Sequence, residues 1–360
     1  MVHSSADSYP ERFHVRLTLL VPELIWPEPN DQSTLGKPAL PGLEWLAGHA
    51  AFENRPRQSF EAALAAQFDL EDAPFAPLRL LGEGHGPKPD EAHWLCADPV
   101  HLRFHHERII LADAGAFDLE TEEAEAIVAS LNSEFGDIGR FHVATARRWY
   151  LRLDSAVAHQ AEPISKMAGR RIDGELKDTN GPLTRWLNEV QMYLHGHPVN
   201  EHRQAAGKPA VNSLWLWGGG SLPAVEKPAC AALWSDNPLA AGLAMAGGIA
   251  AQPCPANLAD FLDKAAESRG NHLVVLDTLL SPALYEDGPG WRTSAQKLEA
   301  DWFAPLSGGP GRRLAELSIV APTVYGQLSW TLGGKERWKF WRKSRPLAAL
   351  ALDLAEGNPA

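Results

Sequence analysis

The side chains with the densest chemistry lie between residues 195 and 220. His197-Pro198-Val199-Asn200 is followed by Arg203, Gly207-Lys208 and then the apolar run Val211 to Trp217, closed by Gly218, Gly219 and Gly220. A polar turn feeding an apolar strand that ends on three glycines is a layout with which α/β proteins bring backbone amides up to an anion, because glycine places no side chain between amide and ligand. The same glycines serve equally as a tight strand exit. His195, His197 and His202 make a His-x-His-x4-His pattern, but Pro198 points to a turn, which does not enforce ligand geometry as a helix face does. Neither this pattern nor the His105-His106 pair is read as a metal site.

Two further segments carry reactive or charged groups. Ser59 offers a hydroxyl, yet no His or Asp stands beside it in sequence to act as its base. It also stands where an N-cap belongs, at the head of the helical-period run Ser59 to Phe68. Lys335 to Arg345 interleaves six basic residues with Trp338, Phe340 and Trp341. That composition suits an amphipathic strap whose aromatics pack inward while Lys and Arg reach out, or a contact for a protein partner.

Composition narrows the field. At 360 residues the chain has room for a core with an inserted lobe, and 45% hydrophobic against 22% charged residues is an ordinary globular balance. A formal charge of -12 argues against tracking a nucleic-acid backbone, while a small phosphorylated or other anionic ligand needs only local positive charge. Cys96, Cys230 and Cys254 form no CxxC pair, so no disulfide framework or thiolate zinc site is expected, and no cofactor is implied. No apolar run approaches the roughly 18 to 20 residues of a membrane span and no signal layout opens the chain, so a cytoplasmic protein is expected.

The elements that must position these groups read as an α/β alternation. Val15 to Val21 ends at Pro22 and fits a buried first strand. Leu40 to Ala47 and Ser59 to Phe68 read as helices, and the Pro/Gly-rich stretch Gly82 to Pro89 marks a boundary. Strand-like His93 to Phe104 and Arg108 to Leu111, a helix from Glu120 to Phe135, and strand-like Arg140 to Thr145 and Arg148 to Leu153 have the order of an inserted α+β lobe. Leu183 to Leu194 is an amphipathic helix. Beyond the glycines, strands at Ala229 to Leu233 and His272 to Leu276 alternate with helices at Pro238 to Met245 and Leu258 to Glu267. Ser294 to Trp302 reads as a helix, Arg313 to Ala321 as a helix end and strand, and Leu347 to Leu354 as a last apolar element. The expectation is a mostly parallel sheet flanked by helices, with residues 1–89 and 156–360 as core and 90–155 as the inserted lobe.

These residues resemble the archaeal-type, cofactor-independent phosphoglycerate mutases of the alkaline-phosphatase-like superfamily. The likeness rests on His-Pro-x-Asn-x-x-Arg-x-x-x-Gly-Lys-x-x-x-Asn from His197 to Asn212 with the strand and glycines after it. Pro41 to Ala47, Glu122-Glu123-Ala124 with Phe141 to Leu153, and Asn237 to Gly248 follow in the family's order. A bacterial group of RpfE-type regulatory proteins is similar more closely still, through Val-Asn-Ser-x-Trp-x-x-Gly-x-Gly at Val211 to Gly220 and the Trp/Arg-rich stretch Trp338 to Arg345.

In the mutases two divalent metals, held by an Asp after the first strand, an Asp-x-x-x-His and a late Asp-His pair, activate a serine. The resemblance places Pro22-Glu23, Leu280 with Leu284, and Val320-Ala321-Pro322 at those positions. Leucine, alanine and proline side chains offer no ligand to a hard cation. Ser59 stands at the nucleophile position with Phe60 beside it, and Trp94 to Ala97 replaces a phosphate-binding arginine motif. Arg148, Asn200, Arg203, Asn212, Gly218, Gly219 and Gly220 match the ligand-binding side. The resemblance therefore implies a metal-free anion site in a degenerate, regulatory or ligand-sensing relative. Two alternatives stand beside it. One is a metal-dependent mutase or phosphatase with relocated ligands such as Glu23, Asp277 or Asp287, and the other is an interaction protein using Lys335 to Arg345.

Overall fold

The structure, a computed structural model, describes residues 15–28, 30–31, 36, 38–85, 87–105, 108–157, 159–172, 182–226, 228, 230–266, 269–337 and 341–357. Its larger sheet has seven strands in the order β2-β12-β11-β1-β10-β8-β9. These are β1 (Val15–Leu20), β2 (Ala51–Arg55), β8 (Cys230–Trp234), β9 (Ala250–Gln252), β10 (Gly270–Val275), β11 (Glu316–Thr323) and β12 (Gly326–Leu332). Neighbours from β11 through β9 pair in parallel, and β12 is antiparallel to both β11 and β2.

Strands in a parallel sheet covered on both faces must be apolar on both. In β1, Leu17 and Leu19 enter one core cluster and Leu20 the other, and in β10 Val274 and Val275 divide the same way. Helices α1 (Pro41–His49), α8 (Leu258–Lys264) and α9 (Gly288–Leu298) cover the first face. Helices α2 (Phe60–Ala65) and α7 (Pro238–Ala246) cover the second. Helix α1 has no side-chain cap of its own, and the buried Glu299 carboxylate supplies one by accepting from Gly42 N at 2.7 Å and Leu43 N at 3.1 Å.

The second sheet is antiparallel and is organised by β3 (His93–His105). Along one edge of β3 lie β6 (Arg148–Leu153) and then β4 (Arg108–Asp113), with β5 (Gly139–Thr145) beyond β6. Along the other edge lies β7 (Ser213–Gly220). This sheet therefore reaches outside residues 90–155, because the glycine-ended strand joins the lobe. Leu214 and Leu216 of β7 face the cluster under α4 (Thr121–Glu134) and α5 (Pro182–His195), whereas Trp215 and Trp217 face α3 (Phe75–Gly82). A strand apolar on both faces fits either sheet, so its pattern does not say which.

Other departures are local. Pro198–Ala205 is a helix, α6, and no turn, with Pro198 in its first turn and His197 Nδ1 accepting from Val199 N at 3.2 Å. The helix expected at Ser294 begins at Gly288 and passes into a wider π turn at Glu299–Phe303. Strands β2 and β12 and helix α3 had no clear signal in the sequence. Among the described residues no helix is long and apolar enough to cross a membrane.

Candidate functional site

A cleft of about 490 Å³ opens between the two sheets, beyond the carboxyl ends of β8 and β10. Crevices at that end of a parallel sheet are where α/β proteins bind ligands. The larger-sheet half contributes Phe60, Glu61, Asn237, Asp277, Leu280, Ser281, Leu284 and Tyr285. The lobe half contributes Asp113, Arg147, Arg148 and Trp217, and Arg79 comes from α3 between them.

The cleft's polar groups are largely committed to one another. Arg148 donates Nε to Glu83 Oε1 at 2.7 Å and Nη2 to Glu83 Oε2 at 2.9 Å. Burial would raise the Glu83 carboxyl, but the bonds from Arg148 and then Tyr150 outweigh it and hold it below the usual range. Beneath, Arg79 makes a two-point pair with Asp98 at 2.9 and 2.7 Å and donates Nε to the Tyr150 hydroxyl at 2.8 Å. Trp217 Nε1 completes Asp98 at 2.8 Å. Glu61 is buried, which pushes its carboxyl up against the opposing hydroxyl bonds of Ser165, at 2.6 Å, and Ser59. Asn237 donates to Asp277 at 2.9 Å, and Tyr285 donates to Asp113. Among the described residues, Arg147 is the cleft's one guanidinium with no ion pair.

The residues singled out from the sequence do not gather here. Of the residues expected to bind a ligand, Arg148 alone lines the cleft. Asn200 is 1% exposed and spends its amide on Leu194 O, Val211 O and Val211 N, at 2.8 to 2.9 Å. Arg203, fully buried, donates to Pro209 O at 2.8 Å, to Asp118 O at 2.5 Å and to Glu123. Asn212 bridges both backbone groups of Leu102 at 2.7 and 3.0 Å.

The three glycines are explained by close approach to neighbouring chain. A Cβ at Gly218 would lie 2.9 Å from Phe75 Cβ, one at Gly219 2.7 Å from Leu95 Cδ2, and one at Gly220 2.5 Å from Pro74 Cβ. Gly218 and Gly220 let the start of α3 approach β7, and Gly219 lets Leu95 of β3 approach it. The side-chain donors of Asn200, Arg203 and Asn212 are bonded to carbonyl or carboxylate groups of the fold itself. Ser59 Oγ caps α2 by accepting from Ala62 N at 3.1 Å.

The groups named as relocated ligands have other roles or positions. Asp287 caps α9 through Gly290 N at 3.0 Å, Asp277 is held by Asn237, and Glu23 lies just beyond the end of β1. Leu280 and Leu284 line the cleft with hydrocarbon. Among the described residues no three or more His, Cys, Asp or Glu side chains form a group able to hold a metal ion.

In the C-terminal segment, residues 338–340 lie outside the described residues, as does His106. Arg342 donates to His49 O and Ala50 O at 3.1 Å, bracing the end of α1, and Arg345 pairs with Asp353 at 2.7 Å. Sequence inspection named Glu23 as a relocated ligand but not Arg57 or Arg170, whose charges act on it. The available signal was a single carboxylate in the otherwise apolar stretch Leu19 to Trp26.

Fold and cleft together define a mixed α/β protein with a mostly parallel, helix-flanked sheet and a second antiparallel sheet facing its carboxyl edge. The relatives it matches are cofactor-independent phosphoglycerate mutases at low identity. The chain is 28% identical over 125 residues to 2,3-bisphosphoglycerate-independent phosphoglycerate mutase 2 of Methanothermobacter thermautotrophicus, covering 33% of this chain and 31% of that enzyme. It is 27% identical over 156 residues to the corresponding mutase of Methanosarcina barkeri, covering 41% and 37%. The matches thus span about a third of the length of these enzymes. No known family model matches the chain. Over 97% of this chain and 99% of the other, the structure is similar to that of the PH0037 protein from Pyrococcus horikoshii, with a TM-score of 0.52 at 12% identity, a likeness of fold.

Proposed function

We propose that this chain is a degenerate phosphoglycerate mutase-like protein that lacks the dinuclear metal site, has no mutase activity and acts as a regulatory or ligand-sensing protein of the RpfE type. The observation that carries this reading is the pair Leu280 and Leu284 on the cleft wall, at the positions where the mutases' Asp and His are expected. A serine hydroxyl needs a metal or a base to become nucleophilic. Ser59 has a capping bond and the Glu61 carboxylate, whose pKa burial raises. What stays open to solvent is a cleft of ligand size with apolar and polar walls.

The test is elemental analysis of the purified full chain after equilibration with manganese and with zinc, together with a phosphoglycerate mutase assay under the same conditions. No bound metal and no turnover are expected. Stoichiometric metal, or turnover that a chelator abolishes, would overturn the reading.

A further inference from the structure

The linker from α3 to β3 is tied to the lobe by three of its side chains. Glu83 takes the two bonds of Arg148, at 2.7 and 2.9 Å, and Asp90 Oδ2 accepts from Arg152 at 2.7 and 3.1 Å. Arg148 and Arg152 stand four residues apart on β6 and so share one face of the sheet. Between these two anchors lies His85. Its Nδ1 is 2.6 Å from Glu83 O, and its Nε2 is 2.8 Å from Ala144 O on β5. The first contact is local to the linker, whereas the second fastens the linker to a strand of the lobe.

A carbonyl oxygen can only accept, so each of these contacts needs an N–H on the ring. Imidazolium has two and neutral imidazole has one. The arrangement is complete only when His85 is protonated, and a neutral ring sets a lone pair against one of the two oxygens. Accordingly the bonds to Glu83 O and Ala144 O raise the His85 pKa above its ordinary 6.5, with the Glu83 carboxylate adding to the shift and Arg148 opposing it. The other charged or titratable groups of these elements are few. His142 on β5 is held below its ordinary range by burial, Asp90 is spent on Arg152, and Lys88 and Arg147 are exposed. His85 is itself exposed, so solvent protons reach it without any opening of the fold.

We propose that His85 is a proton-operated staple that controls whether Arg148 is presented to the cleft. As imidazolium it fastens the linker to β5 and keeps the Glu83 carboxylate on Arg148. On giving its proton to solvent it releases a carbonyl, the linker lifts, and the Arg148 guanidinium turns into the cleft that it already lines. The Glu83 side chain is 1% exposed and that of Arg148 35%, so the carboxylate is what must withdraw and the guanidinium is what gains solvent. His85 acts through Glu83 and is a positioning residue. This inference deepens the ligand-sensing reading by making the cleft's positive charge depend on pH, and it rests on that reading for its biological sense. Neither metal content nor turnover enters its test.

The experiment is modification of the full chain by phenylglyoxal at pH 6 and pH 8, with Arg148 and Arg55 quantified by peptide mass spectrometry. Arg55, whose side chain is 67% exposed, serves as the internal reference, so that the reagent's own pH dependence cancels in the ratio. The ratio of Arg148 to Arg55 modification should rise about tenfold between the two pH values, as neutral His85 passes from the minor to the major form. His85→Gln should flatten it, because the amide has no proton to lose in this range. A second readout needs no variant beyond the one that assigns the signals. Long-range proton–nitrogen NMR spectra should show both ring nitrogens of His85 protonated at pH 6 and a titration midpoint above 6.5. A midpoint at or below 6.5, a flat ratio in the native chain, or an undiminished rise in His85→Gln would overturn the proposal.

Discussion

Arg203 and Glu23 are both ionisable and both buried, yet their surroundings are opposite. Arg203 finds an acceptor at each nitrogen that could need one, from Pro209, Asp118 and Glu123, and its guanidinium also lies over the Phe117 ring with its centroid 5.7 Å away. Glu23 keeps a buried oxygen without a partner and a left-handed backbone. The segment that looks most like a binding motif in sequence is thus a finished piece of architecture, and the corner that looks ordinary is unfinished. A buried polar group fully bonded within the fold holds structure together, whereas one left unbonded costs stability.

The largest effect that could break this comparison is at Arg203. Arg203→Ala removes its hydrogen bonds and leaves Glu123 without its cation, so a loss of about 3 to 5 kcal/mol in urea-denaturation stability is expected. A loss under about 1 kcal/mol would undo the structural role assigned to Arg203.

The Glu23 arm is sharpened by pH. Burial raises its carboxyl in the folded state to about 7, against the partial opposition of Arg170 and Arg57. The folded state therefore holds this proton more tightly than the unfolded chain. The resulting stabilisation is full below the unfolded value near 4.5 and is lost as pH rises to about 7. The slope is at most about 1.4 kcal/mol per pH unit. Comparing wild type with Glu23→Gln across pH 4.5 to 8 isolates the effect: the wild type should lose up to about 3 kcal/mol relative to the variant. Parallel curves would remove Glu23 from the unfinished corner.

Smaller again is the glycine test. Gly220 has φ 150° and a Cβ there would lie 2.5 Å from Pro74 Cβ, so Gly220→Ala should cost about 2 kcal/mol by overpacking and backbone strain. Unchanged stability would leave the glycines open to the anion-site role that their sequence suggests.

The fold was legible where burial imposes a period. Strand β1 shows apolar residues on both faces, and α5 places Leu183, Trp186, Val190 and Leu194 on one side, all of them buried in the lobe cluster. Which sheet β7 joins was not legible, because its alternate residues Leu214 and Trp215 are equally apolar and pairing partners leave no local trace. The cleft was half legible. Leu280, Leu284 and Arg148 were placed from sequence and do line it, whereas Glu61, Arg79 and Asp113 come from segments whose composition is unremarkable. The burial of Glu23 and its left-handed backbone leave no local trace beyond one carboxylate in an apolar stretch.

The smallest expected effect decides what Ser59 is for. Its hydroxyl accepts from Ala62 N at 3.1 Å at the start of α2, and a lost serine cap typically costs about 1 kcal/mol. Ser59→Ala should therefore lower stability by about 1 kcal/mol, and Ser59→Asp, which caps equally well, should recover it unless the added charge is repelled by the neighbouring Glu61. Doing both substitutions in a Glu61→Gln background removes that repulsion and leaves capping alone to decide the outcome. Full rescue there identifies a structural serine. A serine whose replacement leaves stability intact but abolishes reaction with an electrophilic phosphonate probe would instead be an activated nucleophile, and the Leu280 and Leu284 wall would no longer be enough to read the cleft as inactive.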